Sequence, residues 1–157
     1  MGKGKSCFFI GHKNLDTNKI TKIKKHLEDE IINLINQGVT NFYSGGLIGF
    51  DLLAAETIIN LKSQFPNITL STVIAYEDQY EDWTPINQQR YFLILRESDK
   101  INILSNNYYN NCILIRHKYV IESSNYCIAY IKISFGDTFY GVSYAQKCEI
   151  PIINLAD

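Results

Sequence analysis

The sequence predicts an α/β fold, in which about six strands form one mainly parallel sheet with helices on both faces. Short apolar runs of strand length alternate along the chain with longer segments in which apolar residues recur at three- and four-residue steps. Single helices therefore separate successive strands, and such strands pair in parallel because a tight turn cannot connect parallel neighbours. The expected architecture is a Rossmann-like, doubly wound sheet that binds ligands beyond the carboxyl ends of its strands.

The first strand and the first helix are defined by a change of period. Residues 6–11 form a short apolar run that ends at a glycine, which is typical of a buried parallel strand. In residues 17–37 the apolar positions follow the period of a helix, with Lys and Glu between them. Gly38 ends this amphipathic helix, and residues 39–44 form the second strand.

The following elements are bounded by glycine and proline. A double glycine at 45–46 turns the chain into a helix over residues 47–65, and a strand rich in β-branched residues follows at 68–75. Thr84 is expected to cap a helix whose first residue is Pro85. The remaining segments keep the alternation, with strands at 100–104, 125–131 and 151–155 and helices at 85–98 and 111–123. A glycine turn around Gly136 precedes a further short helix that runs through Cys148.

Length and charge indicate one globular domain over residues 1–157. The chain is 46% hydrophobic and long enough to bury one substantial core. Its 15 basic and 16 acidic residues give a net charge of −1. A protein that binds duplex DNA would show a clearly basic balance, so duplex nucleic acid is not an expected partner. A small local anion site is compatible with this charge.

Cysteine usage and hydropathy indicate a reducing, cytoplasmic setting. The four cysteines are far apart without C-x-x-C spacing, and the first five residues lack the apolar region of a signal peptide. The longest apolar runs fall well short of the roughly 20 residues that span a bilayer, so no membrane segment is expected. The histidines lack partners at metal-ligand spacing and no G-x-S-x-G elbow is present, so neither a metal site nor a catalytic triad is expected.

A glycine-rich turn, S-G-G-L-I-G-F-D, connects the second strand to the second helix between Ser44 and Asp51. Gly45, Gly46 and Gly49 let the backbone approach a ligand closely, and the free N–H groups of a helix start favour an anion such as phosphate. Alternatively, the glycines only form a tight turn that packs against the sheet. Asp51 lies in the first helical turn, where it orders the loop or accepts a hydrogen bond from a ribose hydroxyl.

Two further loops are expected at the same end of the sheet. Gly11, His12 and Lys13 follow the first strand, where the lysine supplies a cation and the histidine donates a hydrogen bond or stacks. Gly136 and Thr138, in the sequence S-F-G-D-T after the fifth strand, form a second candidate cradle for phosphate or ribose. For both loops the alternative is a solvated turn without a ligand.

Three larger side chains are candidates for closing the ligand site. Arg90 and Arg116 lie near helix starts, from which a guanidinium can fold over the mouth and bind phosphate through two parallel hydrogen bonds. Tyr76 begins an aromatic and acidic loop after the third strand, and its ring can stack on a base. Ordinary surface positions are the alternative for all three residues.

The ordered set of these motifs resembles the YpsA-like branch of the SLOG superfamily. The motifs are the strand ending in G-H-K, the block S-G-G-L-I-G-F-D-L-L-A-A-E, the segment Y-E-D-Q, and then Q-Q-R-Y, C-I-L-I-R-H-K-Y and F-G-D-T-F-Y-G. The resemblance covers nearly the whole chain, from Lys5 to Leu155. It implies a Rossmann-like fold that binds nucleotides or nucleotide-derived molecules such as ADP-ribose compounds, including cyclic derivatives. No further cofactor is expected to be required.

The resemblance assigns roles only to matching positions. The first glycine loop of the family is matched by Gly11, Gly45, Gly46, Gly49 and Asp51. Arg116 matches an arginine before the fifth strand, and Gly136 and Thr138 match the second loop. Lys13 stands where the family usually has arginine. Asp137 stands where the second loop usually has glycine, and it brings a carboxylate to a place where phosphate is expected. Relatives also imply a homodimer or higher homo-oligomer, with the apolar faces of the second and fourth helices as the contact.

The resemblance also bears on catalysis. In the related lonely-guy phosphoribohydrolases a glutamate three residues after the loop threonine stabilises the ribosyl cation, and that position is Gly141 here. Loss of such a carboxylate removes several kcal/mol of electrostatic stabilisation. Glu122 or Asp137 can replace it only where geometry allows. The sequence favours a protein that senses or sequesters a nucleotide derivative, with a nucleotide-processing hydrolase and a single-stranded DNA-binding module similar to DprA as alternatives.

Overall fold

The computed structural model describes residues 4–156, which form an α/β fold with every strand pair parallel. The strands are β1 Lys5–Gly11, β2 Val39–Ser44, β3 Thr69–Ile74, β4 Lys100–Ile103, β5 Tyr126–Tyr130 and β6 Ile152–Asn154. The helices are α1 Ile20–Asn36, which follows a 3₁₀ turn at Thr17–Lys19, α2 Phe50–Leu61, α3 Pro85–Glu97, α4 Cys112–Ile121 and α5 Gly136–Lys147. The predicted Rossmann-like class is confirmed. Within residues 4–156, no helix is long and apolar enough to cross a membrane.

Helices cover both faces of the sheet and create two cores. The larger core lies between the sheet and helices α1, α2 and α3, and the smaller one lies beneath α4 and α5. Phe9 belongs to the larger core, whereas its neighbours Phe8 and Ile10 belong to the smaller one. Because successive side chains of a strand point to opposite faces, a strand buried on both faces becomes the continuous apolar run seen in the sequence.

The second helix is shorter than its sequence predicts and is buried along nearly its whole length. It begins at Phe50 instead of residue 47, because Gly49 has a positive φ of 84° and belongs to the preceding turn. Almost all its side chains are buried between the sheet and its neighbouring helices. Contrary to the expectation from sequence, α2 therefore offers no exposed apolar face for a subunit contact. By contrast, α4 exposes Ile115 and Tyr119.

The strand order β4-β3-β2-β1-β5-β6 reverses direction next to β1. The chain moves outwards from β1 to β4, returns through α4, and adds β5 on the other side of β1. Gly11 pairs with Tyr130, so β1 and β5 end side by side. A crevice outside the carboxyl ends of strands at such a reversal is where ligands bind in open α/β sheets. The loops after β1, β2 and β5 all reach this crevice.

Candidate functional site

The crevice contains a cleft of about 230 Å³, called the central cleft below. Its walls come from the loops after β1 and β2 and from helices α2, α4 and α5, through Gly11, His12, Lys13, Leu47, Asp51, Ile113, His117, Asp137 and Thr138. Two side clefts adjoin it, and Lys13 lines all three. One side cleft lies towards α3 and Arg90, and the other lies towards the end of β5 at Tyr130.

The first turn of α5 forms one wall of the central cleft. The residue before it, Phe135, is extended and supplies no side-chain cap, so the amide groups of the first turn have no capping partner. Gly136 has a φ of 89° and open space around it, and the Thr138 hydroxyl donates a 3.4 Å hydrogen bond to the Gly11 carbonyl. This helix start favours an anionic or carbonyl oxygen. The Asp137 carboxylate lies at the same wall and opposes a closely placed anion.

The loop after β2 is held from below by Arg116. This side chain is only 2% exposed, and its Nη1 donates hydrogen bonds to the carbonyls of Gly45 at 2.9 Å and Val73 at 3.1 Å. The amide of Gln79 donates to the same Gly45 carbonyl at 3.0 Å. A side chain at Gly45 would collide with the guanidinium. Arg116 therefore lies beneath the loop, and not over the ligand mouth as expected from the sequence.

The same loop is packed against the loop after β1. The Ser44 hydroxyl accepts a 3.1 Å hydrogen bond from the Gly46 amide. Gly49 has no room for a side chain, because a Cβ there would collide with the backbone carbonyl of His12, and the Phe50 amide donates to that carbonyl at 3.1 Å. Glycine is therefore required in this loop by close packing and by positive φ angles. The loop does not form the open phosphate cradle that was predicted at Gly45 and Gly46.

Asp51 forms the floor of the central cleft next to Arg116. The two side chains are almost fully buried, and Asp51 Oδ2 lies 3.9 Å from Arg116 Nη2. Asp51 Oδ1 and Arg116 Nη2 have no hydrogen-bond partner among residues 4–156. Burial raises the pKa of Asp51 to about 6, although the charges of Arg116 and Lys13 and a backbone hydrogen bond at Leu47 act in the opposite direction. A buried carboxylate oxygen therefore remains available to a donor in the cleft.

Two histidines line the cleft, and only His12 was predicted from the sequence. His12 Nε2 accepts a 2.8 Å hydrogen bond from the Lys132 amide, so the neutral ring carries its proton on Nδ1. Burial, together with the charge of Lys132, lowers the pKa of His12. His117 is buried, and burial with the adjacent charge of Arg116 lowers its pKa well below the ordinary value. The signal for His117 was a polar ring inside the apolar helix C-I-L-I-R-H-K-Y-V.

Like Arg116, the predicted site residues Arg90 and Tyr76 lie outside the central cleft. Arg90 forms an ion pair with Glu56 through two hydrogen bonds of 2.9 and 2.6 Å, and it lines only the side cleft towards α3. Tyr76 packs edge-on against Tyr108, with 5.4 Å between ring centroids, and lines none of the three clefts. Over the described chain, no three His, Cys, Asp or Glu side chains are grouped to hold a metal ion.

Comparisons with known proteins agree with this architecture. The UPF0398 protein BH1768 of Halalkalibacterium halodurans is 30% identical over 131 residues, which cover 82% of this chain and 69% of that protein. DNA processing protein A from Helicobacter pylori, described for its single-stranded DNA binding mode, matches with a TM-score of 0.64 at 18% identity and covers 96% of this chain. DprA from Streptococcus pneumoniae matches with a TM-score of 0.66 at 11% identity and the same coverage.

The two solved structures extend beyond the matched region, since this chain spans 65% of the Helicobacter protein and 50% of the Streptococcus protein. At these identities the likeness concerns the fold. The model of the YspA SLOG family matches residues 4–149, which include every wall of the central cleft. The chain therefore belongs to the YspA SLOG family.

Proposed function

We propose that this protein binds a nucleotide or a nucleotide-derived molecule of the ADP-ribose or NAD type in the central cleft, and that it senses or sequesters this ligand. One observation carries the proposal. A single cleft at the strand-order reversal combines an uncapped helix start and Lys13 with a buried carboxylate oxygen that has no partner in the described residues. Family membership and the likeness to DprA support a nucleotide or DNA ligand at this place.

The polar groups of the cleft match different parts of such a ligand. The amides at the start of α5 and the Lys13 ammonium attract a phosphate oxygen. The Asp51 carboxylate repels phosphate but accepts a hydrogen bond from a hydroxyl or an N–H group. A molecule with phosphate at one end and hydroxyl groups at the other satisfies both sides, and an inorganic anion satisfies only one.

The size of the site favours a ligand longer than a mononucleotide. The central cleft of about 230 Å³ adjoins side clefts of about 280 and 360 Å³, and Lys13 lies at the junction. Together the three fall within the roughly 300–1,000 Å³ typical of small-molecule sites. A ligand of the ADP-ribose type can place its two phosphates near Lys13 and extend into one side cleft.

The packing around Gly141 favours binding without cleavage. A Cβ at this position would lie 2.5 Å from Ile10 Cδ1 and about 3.1 Å from His117 Cδ2, so a side chain there would have to displace the end of Ile10 and press on the imidazole. The carboxylate that the phosphoribohydrolases place at the matching position is absent from this chain, and the packing around Gly141 opposes it. The developing positive charge of a ribosyl transition state would therefore lack that partner.

Single-stranded DNA binding is the second candidate function, and the likeness to the Helicobacter protein favours it. The net charge of −1 argues against it, because phosphate contacts from Lys and Arg supply most of the affinity for nucleic acid. Strong retention of a single-stranded oligonucleotide on a filter at low salt, lost on adding excess ADP-ribose, would favour DNA as the occupant of the cleft.

A thermal-shift screen against AMP, ADP-ribose, NAD and cyclic ADP-ribose tests the proposal, with chromatography of each ligand after incubation. We expect a raised unfolding midpoint with the ligand recovered intact. Lys13→Gln should weaken binding by about tenfold, because it removes a charged hydrogen-bond donor. Lys25→Gln is the control, since Lys25 is exposed on α1 and pairs with Asp29. Release of free base or ribose phosphate would make the protein a hydrolase, and no shift with any ligand would refute the proposal.

A further inference from the structure

His117 is a buried histidine that lines the central cleft and has not yet been given a role in the site. It lies on α4, faces Gly141 of α5, and is only 6% exposed. Its imidazole lines the cleft, and within residues 4–156 no side chain or backbone group hydrogen-bonds to it. The ring nitrogens are therefore free to hydrogen-bond a molecule bound in the cleft.

The charge state of His117 defines what it can recognise. Burial of the ring, together with the neighbouring guanidinium of Arg116, keeps the imidazole neutral, since both lower its pKa. A neutral imidazole offers one N–H donor and one nitrogen acceptor. Asp51, on the floor of the same cleft, offers only acceptors when ionised, and its Oδ1 has no partner in the described chain.

The combination of these two groups selects hydroxyl groups over anions. A hydroxyl can donate to the Asp51 carboxylate and accept from the His117 N–H at the same time, and a neighbouring hydroxyl can donate to the second nitrogen. A phosphate oxygen placed here would face the carboxylate of Asp51. We propose that His117 and Asp51 together bind the vicinal hydroxyls of a ribose, so that the ligand is a ribonucleotide derivative and not a deoxyribonucleotide.

This inference rests on the proposed function and names the chemical group that the cleft recognises. Gly141 leaves room for the imidazole, because a side chain at this position would press against the ring. The ribose then lies between α2 and α4, and its phosphate lies at the start of α5. His117 is a ligand-contacting residue in this arrangement, and it takes no part in breaking a bond.

Isothermal titration of AMP, 2′-deoxy-AMP and 3′-deoxy-AMP tests the inference. Removing either hydroxyl should weaken binding at least about tenfold, because a buried polar group of the site loses its partner. His117→Phe should bind AMP more weakly and lose most of this discrimination, whereas His117→Gln, which keeps one donor and one acceptor, should restore part of it. His26→Gln is the control, because His26 is half exposed on α1 and approaches only Glu30.

The possible results separate the inference from the function on which it rests. Equal affinities for AMP and both deoxy analogues would overturn ribose recognition and leave nucleotide binding standing. Discrimination that persists in His117→Phe would overturn the role of His117. If His117→Phe does not fold, the ligand series on the unchanged chain still decides. Absence of binding by all three ligands and by ADP-ribose would refute the proposed function itself.

Discussion

The two glycine loops of this protein each connect a strand to a helix, but their glycines have different physical reasons. The loop after β2, residues 44–49, is packed from below by the Arg116 guanidinium and from the side by the loop after β1. The loop after β5, residues 134–138, leads into an uncapped helix start, and Gly136 has open space around it. The first loop supports the cleft, and the second leaves the first amides of α5 without a side-chain cap.

This difference shows that glycine near a strand end has two separate uses. At Gly45 the missing side chain makes room for a buried protein group, so the residue serves the stability of the fold. At Gly136 a positive φ orients the first amides of α5, and nothing in the described chain fills the adjoining space. Substitutions in the two loops should therefore affect different measurements.

Arg116→Met should produce the largest effect, and it should act on stability. The change removes hydrogen bonds to two buried carbonyls and leaves the Asp51 carboxylate without its charged neighbour. Breaking a buried ion pair in this way costs about 3–5 kcal/mol of unfolding free energy. Denaturant unfolding measures this loss, with Arg96→Met as the control, since Arg96 is exposed and pairs with its neighbour Glu97. Unchanged stability with lost ligand binding would instead make Arg116 a ligand contact.

Gly45→Ala and Gly136→Ala should separate the two loops. In the first variant the new methyl group meets the buried guanidinium, and we expect about 1–3 kcal/mol of destabilisation with nearly unchanged ligand affinity per folded molecule. In the second the φ of 89° is unfavourable for alanine and costs about 1–2 kcal/mol. Its strain falls on the first turn of α5, so ADP-ribose affinity should fall as well.

Gly38→Ala is the matched control for Gly136→Ala. Gly38 has a φ of 99°, also with open space around it, but it lies after α1 at the start of β2. The two variants should lose similar stability, and only Gly136→Ala should lose affinity. Equal affinities in both variants would show that the start of α5 does not contact the ligand.

The protonation of Asp51 should make ligand affinity depend on pH. This is the smallest of the expected effects. Because burial raises the pKa of this carboxyl to about 6, its contribution to stability is full below about pH 4 and is lost as the pH rises through 6. Ligand binding has the opposite sign, since a hydroxyl donates to the ionised form. Affinity for ADP-ribose should rise about tenfold between pH 5 and 7.

Two choices make this pH measurement specific. ADP-ribose is preferred to AMP, because a terminal phosphate group itself titrates near pH 6. Asp51→Asn should bind more weakly at pH 7 and should lose the pH dependence. A dependence that is unchanged in Asp51→Asn would assign the titration to another group, such as His12.

The sequence was sufficient for the fold class and for which loops meet at the central cleft, but not for the direction of individual side chains. The alternation of periods predicted the parallel sheet, and the loops after β1, β2 and β5 do meet at one end of it. Arg116 was expected to face the ligand mouth, because it lies near a helix start. The sequence does not say which side of α4 is packed, so this expectation was wrong. Its hydrogen bond to Gly45 joins residues 71 positions apart, and such long-range pairs leave no local pattern.

The pairing of Arg90 shows the same limit. Its position near a helix start suggested phosphate binding, but Glu56 lies 34 positions earlier on α2 and satisfies the guanidinium. His117 was overlooked for the opposite reason. One histidine without neighbours at metal-ligand spacing carries no chemistry in the sequence, and only the packing of α4 against α5 brings it to the cleft.

The most direct test is a titration of the ¹⁵N-labelled protein with ADP-ribose, followed by the backbone amide resonances. If the loop after β5 contacts the ligand and the loop after β2 only supports the cleft, the largest chemical-shift changes should occur at the amides of Gly136, Asp137 and Thr138. Smaller changes are expected at Gly45 and Gly46. The reverse pattern would contradict it, because the loop after β2 would then hold the ligand. No shift at either loop would show that the central cleft does not bind a nucleotide derivative.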